Sequence, residues 1–302
     1  MTSPAVPARP PYLERLAARS AATGTVLCVG LDPDPAALPP GFGRDLAGIE
    51  AFSRLLLEAA APVAAAVKPN LAFFEAFGSA GLAALERLRA ALPSDVLVVA
   101  DAKRGDIGTT SARHAAALFD ALGADAVTVS PYLGEEAIAP LLDRVDRFAY
   151  VLCRTSNPGA GELQDLEVDG KPLWARVAEV VASWGPGGTA GLVVGATAPA
   201  ELARIREIAP GLAMLVPGVG AQGGSVEAVL EAGPATAPPA GGRPGGGLLV
   251  NVSRGIAGAA TGSSGEADGG GPGTPTADLG ERLAAAAREW AARLPVLGFR
   301  PR

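Results

Sequence analysis

Val96-Leu97-Val98-Val99-Ala100-Asp101-Ala102-Lys103-Arg104-Gly105-Asp106 passes directly from five apolar residues to a run that carries four charges. The apolar half is near-continuous rather than alternating, the pattern of a strand covered on both faces of a parallel sheet. Strand side chains alternate between faces, so Asp101 and Lys103 are expected on one side, with Asp106 just past the strand end. Charges brought together at the mouth of a fold are costly to bury unless they are paired or used. This stretch is therefore the first candidate for chemistry.

The same kind of apolar run recurs along the chain. Strands are expected at Thr25–Asp32, Ala65–Leu71, Val96–Asp101, Ala126–Ser130, Phe148–Arg154, Gly191–Ala196, Ala213–Pro217 and Leu248–Ser253. Helical patterns lie between and after them, at Ile49–Ala64, Gly81–Leu92, Thr110–Leu122, Pro172–Trp184, Pro199–Ile208, Ser225–Ala232 and Ala277–Arg293. Eight strands alternating with helices match a single-domain (β/α)8 TIM barrel over residues 1–302; a doubly wound open sheet is the alternative. Asp32, Lys68, Asp101, Lys103, Ser130, Ser156, Gln222 and Arg254 all fall at or just after strand ends. That is the face on which barrel active sites are built.

Two segments depart from the pattern. Residues 233–247 are mostly Gly, Pro and Ala, and residues 262–275 mostly Gly, Ser and Pro. Both read as flexible insertions with too little apolar content to pack. The first, lying between two candidate ligand loops, has a lid as its functional alternative.

Composition sets bounds. Of the 302 residues 49% are hydrophobic, enough for a large core, and the net charge of -6 argues against nucleic-acid or anionic-membrane binding. No apolar run is long enough for a membrane span, and residues 1–11 lack the apolar core of a secretory signal. Cys28 and Cys153 sit within apolar runs without metal-site spacing and are expected as buried free thiols, consistent with a reducing cytoplasm. His114, the single histidine, falls within a helical pattern, so neither a zinc site nor a serine–histidine triad is supported.

Pro217 to Gly224 contains a formal G-x-G-x-x-G, but no acidic residue follows at the distance a dinucleotide fold requires. A Gly-rich loop ahead of a helix still presents backbone N–H groups to a phosphate. It follows the seventh strand, and Arg254 follows the eighth, the usual barrel phosphate position. Thr109, Thr110 and Ser111 open the helix after the charged stretch and read first as caps.

From about Thr25 to Ile256 the chain resembles the orotidine 5′-phosphate decarboxylase family. Asp101 to Asp106 carries its D-x-K-x-x-D. Asp32, Lys68-Pro69-Asn70, the loop Pro217–Gly224 and Arg254 resemble its other motifs. Ser130–Gly134 and Thr155–Gly159 resemble the subgroup with longer bacterial chains. D-x-K-x-x-D also occurs in related sugar-phosphate enzymes; Lys68, Gln222 and Arg254 distinguish this chain from those.

The resemblance implies decarboxylation of orotidine 5′-phosphate to UMP without cofactor or metal. It assigns Lys68, Asp101, Lys103 and Asp106 to an alternating charge network, with Lys103 protonating C6. Asp32 is implied as a ribose ligand, Ser156 as a reader of the pyrimidine edge, and Gln222 and Arg254 as phosphate ligands. Thr110, or its neighbour Thr109, is implied to reach ligand across a homodimer in which Asp106 serves the neighbouring site. The alternatives are a Mg²⁺-dependent sugar-phosphate aldolase or decarboxylase of the same superfamily, and a barrel that only binds nucleotides.

Overall fold

The structure, a computed structural model, describes residues 9–261 and 276–297. Eight parallel strands close into a barrel in chain order: β1 (Leu27–Leu31), β2 (Ala66–Pro69), β3 (Leu97–Arg104), β4 (Ala126–Val129), β5 (Phe148–Arg154), β6 (Ala190–Val194), β7 (Ala213–Pro217) and β8 (Leu248–Val252). β1 pairs with β8 through Cys28 and Asn251, which removes the free edge an open sheet would keep. The eight predicted strands are these eight, and the fold is a single-domain (β/α)8 barrel.

The apolar runs are continuous because both faces are covered. Inward-facing Cys28, Ala66, Val99, Tyr150, Leu215 and Leu249 fill the barrel, while the alternate residues meet the surrounding helices. Both cysteines are free and buried, and burial pushes each thiol up to about 12.

The predicted helices are present with shifted ends. Examples are Leu46–Ala60, started by Asp45 accepting from the Gly48 N–H, and Val226–Ala232, started by Ser225 accepting from the Ala228 N–H. Thr109, Thr110 and Ser111 do not cap. Their helix, Gly108–Ala115, begins earlier and has no side-chain cap at Ile107. Ser111 Oγ instead donates to backbone carbonyls at Asp106, 2.8 Å away, and Ala137. His114 is half-buried on that helix.

Two features were not legible in the sequence. A helix over Tyr12–Thr23 closes the N-terminal end of the barrel, its Tyr12 ring stacked 4.8 Å from Phe148 and its hydroxyl 3.1 Å from that of Tyr150. Arg15 of that helix reaches 2.6 Å to Asp125, a fully buried carboxylate that also accepts from the Val98 N–H. Arg9, Arg89 and Arg147 lie 3.4–3.7 Å from the same carboxylate.

The second concerns 233–247, which was expected to lack structure. Here that segment packs: Ala235 and Ala240 are buried, and Ala235 N–H bonds Gly246 O while Ala240 N–H bonds Gly211 O. Buried Arg206 donates to Gly233 O at 2.5 Å. Small residues suffice because the segment supplies backbone hydrogen bonds rather than apolar side chains. It runs into the N-terminal end of β8, opposite the face bearing the charged residues, so a lid over that face is ruled out. The stretch 262–275 lies outside the described residues.

Candidate active site

The strand ends place the predicted residues on one rim. Lys68 ends β2 and points into the barrel mouth, where its ammonium donates to Asp101 Oδ2 at 2.5 Å. Lys103 donates to the other oxygen, Oδ1, at 2.6 Å. One carboxylate therefore bridges two ammonium groups. Asn70 Nδ2 donates to Asp32 Oδ1 at 3.0 Å on the neighbouring strand end.

These three charges are not equally buried. The side chains of Lys68 and Asp101 are 6% and 11% exposed, whereas that of Lys103 is 51% exposed. Burial opposes the charge on Asp101, but Lys68 and Lys103 outweigh it and hold the carboxyl well below its usual range. Burial likewise opposes the charge on Lys68, yet Asp101 and Asp32 raise it above an ordinary lysine.

Strand alternation alone does not bring Lys103 to Asp101. β3 loses register with β4 between Ala100 and Arg104, and Lys103 adopts a left-handed backbone with φ 48°. For a residue with a side chain this costs about 1–3 kcal/mol, a strain concentrated at functional sites. The bulge swings the ammonium back over the barrel mouth.

Beside this chain of charges opens a cavity of about 450 Å³, lined among others by Asp32, Lys68, Asn70, Gln222, Asn251 and Arg254. At its far end the Gly-rich loop folds back on itself, with Gly224 N–H on Gly218 O at 3.0 Å and Gly223 N–H on Gly220 O at 2.7 Å. Gly218 has φ 104°, a conformation that favours glycine. Arg254 is exposed at the cavity wall, at the start of a short helical turn, Arg254–Ala257. Ser156 Oγ donates to Gln222 Oε1 at 3.1 Å and so joins the loop after β5 to the Gly-rich loop.

Asp106 and Thr110 are not brought into this group. Asp106 Oδ1 accepts from the Ile107 N–H at 2.7 Å, and no ion pair joins it to either lysine among the described residues. Thr110 sits half-buried in the first turn of Gly108–Ala115, and Thr109 is exposed. Each Asp101 oxygen already carries an ammonium group, whose positive charge opposes a divalent cation there.

A model of the orotidine 5′-phosphate decarboxylase / HUMPS family matches residues 25–267. The chain belongs to this family. Its relatives include the orotidine 5′-phosphate decarboxylase of Herpetosiphon aurantiacus, 46% identical over 84% of this chain and 91% of that protein. That of Roseiflexus castenholzii is 50% identical over 76% and 82%. The solved structure of Leishmania donovani OMP decarboxylase superposes with a TM-score of 0.75 at 38% identity, covering 93% of this chain and 96% of that one. As a member of the decarboxylase family, the chain is a carboxy-lyase.

Several residues around the site were not found by sequence reasoning. Asn251, 7% exposed at the end of β8, lines the cavity and leaves its Oδ1 without a partner. Gln164 braces the loop that carries Ser156, accepting from the Thr155 N–H at 2.9 Å and donating to Thr155 Oγ1 at 2.8 Å. Trp290, from the last helix, Thr276–Arg293, donates to Gly255 O at 3.2 Å and packs under Gly220. The position of Asn251 one residue before the end of a strand was a readable signal. Gln164 and Trp290 carried none, because only the folded chain brings them to the site.

Proposed function

We propose that Lys103 is the proton donor in the decarboxylation of orotidine 5′-phosphate to UMP, the pyrimidine-biosynthetic reaction that membership in the decarboxylase family assigns to this chain. The supporting observation is one ammonium, half-open to the barrel mouth, held at 2.6 Å on a carboxylate that a buried lysine keeps charged. In the reaction the bond from C6 to the carboxylate carbon breaks and its electron pair stays on C6. Carbon dioxide leaves, and a proton from Lys103 Nζ adds to C6, so the amine regains its proton from solvent. An ammonium aimed where negative charge develops lowers the barrier. At about 4 Å and an effective dielectric near 20, such a contact is worth roughly 4 kcal/mol before desolvation.

The remaining assignments follow the cavity. Gln222, Arg254 and the Gly-rich loop hold the phosphate at one end. Asp32, braced by Asn70, binds the ribose, and Ser156 reads the pyrimidine edge. Remote phosphate binding is then available to drive closure and raise the rate of the chemical step. No cofactor or metal enters this reading.

The site is completed by a second copy of the chain. Asp106, outside the cluster of its own subunit, extends into the partner's site, with Thr110 beside it. Exposed Ile107, Tyr132 and Leu133, on the loops after β3 and β4, supply the apolar surface for this contact. The enzyme works in the cytoplasm as a homodimer.

Loss of orotidine 5′-phosphate absorbance tests the reading. Lys103→Ala is expected to abolish turnover with the fold intact, and EDTA is expected to leave wild-type turnover unchanged. Full activity in Lys103→Ala would sink the assignment. Activity on a sugar phosphate that EDTA removes selects the metal-dependent alternative, and UMP binding without turnover selects the non-catalytic one. Mixing Lys103→Ala with Asp106→Ala subunits is expected to restore part of the activity if sites are shared; no recovery in exchanging dimers rejects sharing.

A further inference from the structure

We infer that Thr128 is a positioning residue for the decarboxylation, holding both Lys103 and Asp101 in place through a single hydroxyl. This rests on the reading of Lys103 as proton donor. Where β3 bulges, it advances from Ala100 to Arg104 while β4 advances only from Val127 to Val129. Thr128 is the one β4 residue that spans the gap. Its backbone cannot serve the extra β3 residues, and its side chain does so instead.

The hydroxyl is fully committed. Thr128 Oγ1 accepts from the Ala102 N–H and from the Lys103 N–H, each at 3.0 Å. Its own hydrogen goes to Asp101 Oδ1 at 2.9 Å. One donor and two acceptor positions exhaust what a threonine hydroxyl offers. At 2% exposure no bulk water stands ready to replace it.

The consequence is geometric control of the reacting groups. The two N–H bonds pin the two peptide units that lead into the strained φ of Lys103, which sets where its ammonium starts from. The third bond fixes the rotation of the Asp101 carboxylate, and with it the oxygens that take Lys103 and Lys68. Thr128 also donates to the ionised form of Asp101, which favours that form. Thr128 touches no reacting atom; it acts through Asp101 and Lys103.

Valine keeps the shape of threonine and removes all three bonds. Misplacing a reacting group by about 1 Å costs roughly 100-fold in rate, so Thr128→Val is expected to lower kcat by about 10- to 100-fold. KM is expected to stay within about threefold, because the phosphate and ribose contacts lie on other strands. The acid limb of the kcat profile is expected to move to higher pH as Asp101 loses a donor. Thr128→Ser, which keeps the hydroxyl, is expected to retain at least half of kcat. Thr128→Ala provides the same comparison should valine prevent folding, since the vacated space admits water to the bulge N–H groups.

The experiment measures kcat, KM and pH profile for Thr128→Val, Thr128→Ser and Thr128→Ala alongside Lys103→Ala, all in the intact protein. Low kcat in the valine or alanine variant, rescued in the serine variant with KM held, supports the inference. If Lys103→Ala is inactive while Thr128→Val and Thr128→Ala keep wild-type kcat, or if serine loses as much as alanine, Thr128 does not position the site. Activity in Lys103→Ala overturns the underlying reading instead.

Discussion

The Lys68 ammonium lies 2.5 Å from Asp101 Oδ2, and both side chains are shielded from water. Each charge offsets much of the cost of burying the other. The pair anchors the second ammonium, of Lys103, which is the one left open to the barrel mouth. A buried ion pair and a half-exposed ammonium thus share one carboxylate.

Removing half of that pair is expected to be costly. Asp101→Asn leaves Lys68 buried without its main counter-charge and is expected to destabilise the protein by about 3–5 kcal/mol. The double variant Asp101→Asn with Lys68→Met, which removes both charges, is expected to lose less. Urea unfolding of the two variants checks this, and equal losses would remove the ion pair as the cause.

The same pair carries a pH signature. Asp101 is depressed in the folded state, so its contribution is complete above the unfolded value near 4 and drains as pH falls toward the folded value. Lys68 is raised, so its contribution is complete below about 10.4 and is lost as pH rises through the folded value. The stability gap between wild type and the double variant is therefore expected to be flat between about pH 4 and 10 and to narrow on both sides. A gap that stays constant down to pH 2 contradicts the assignment.

Gly218→Ala addresses the Gly-rich loop. The residue sits at φ 104°, and a Cβ there would lie 2.8 Å from Gln222 Oε1. The strain is expected to cost about 1–3 kcal/mol and to distort the loop. With the phosphate bound less well, KM for orotidine 5′-phosphate is expected to rise about tenfold, roughly 1.4 kcal/mol of binding. Unchanged KM with normal folding would separate this loop from phosphate binding.

Asp125→Ala tests the far end of the barrel. The carboxylate is fully buried and faces four arginines, of which Arg15 at 2.6 Å ties the helix Tyr12–Thr23 to the strands. Loss of about 3–5 kcal/mol is expected, with kcat and KM of the folded protein unchanged. Thermal unfolding together with steady-state kinetics checks both parts, and a variant as stable as wild type would mean that the arginines are held without it.

The eight strands were legible because burial on both faces writes itself into consecutive residues: Val96 to Ala100 and Phe148 to Leu152 read as strands with no knowledge of their neighbours. The site rim was legible for a related reason, since polar residues at the ends of apolar runs mark one face of a parallel barrel. Asp32, Lys68, Asp101, Lys103, Gln222 and Arg254, all at or just after such ends, lie on that rim in the folded chain.

Tertiary structure alone decided the rest. The helix Tyr12–Thr23 is recognisable only from the rings of Phe148 and Tyr150 that receive Tyr12, more than 130 positions away in the chain. Residues 233–247 pack through backbone hydrogen bonds, for which composition has no signature. The sequence placed Asp101 and Lys103 together by alternation, but a bulge joins them, and the hydroxyl that satisfies it belongs to Thr128 on another strand. Local burial patterns determine which strands form. Where a hydroxyl, a ring or a carbonyl meets its partner depends on contacts that exist only once those strands have closed.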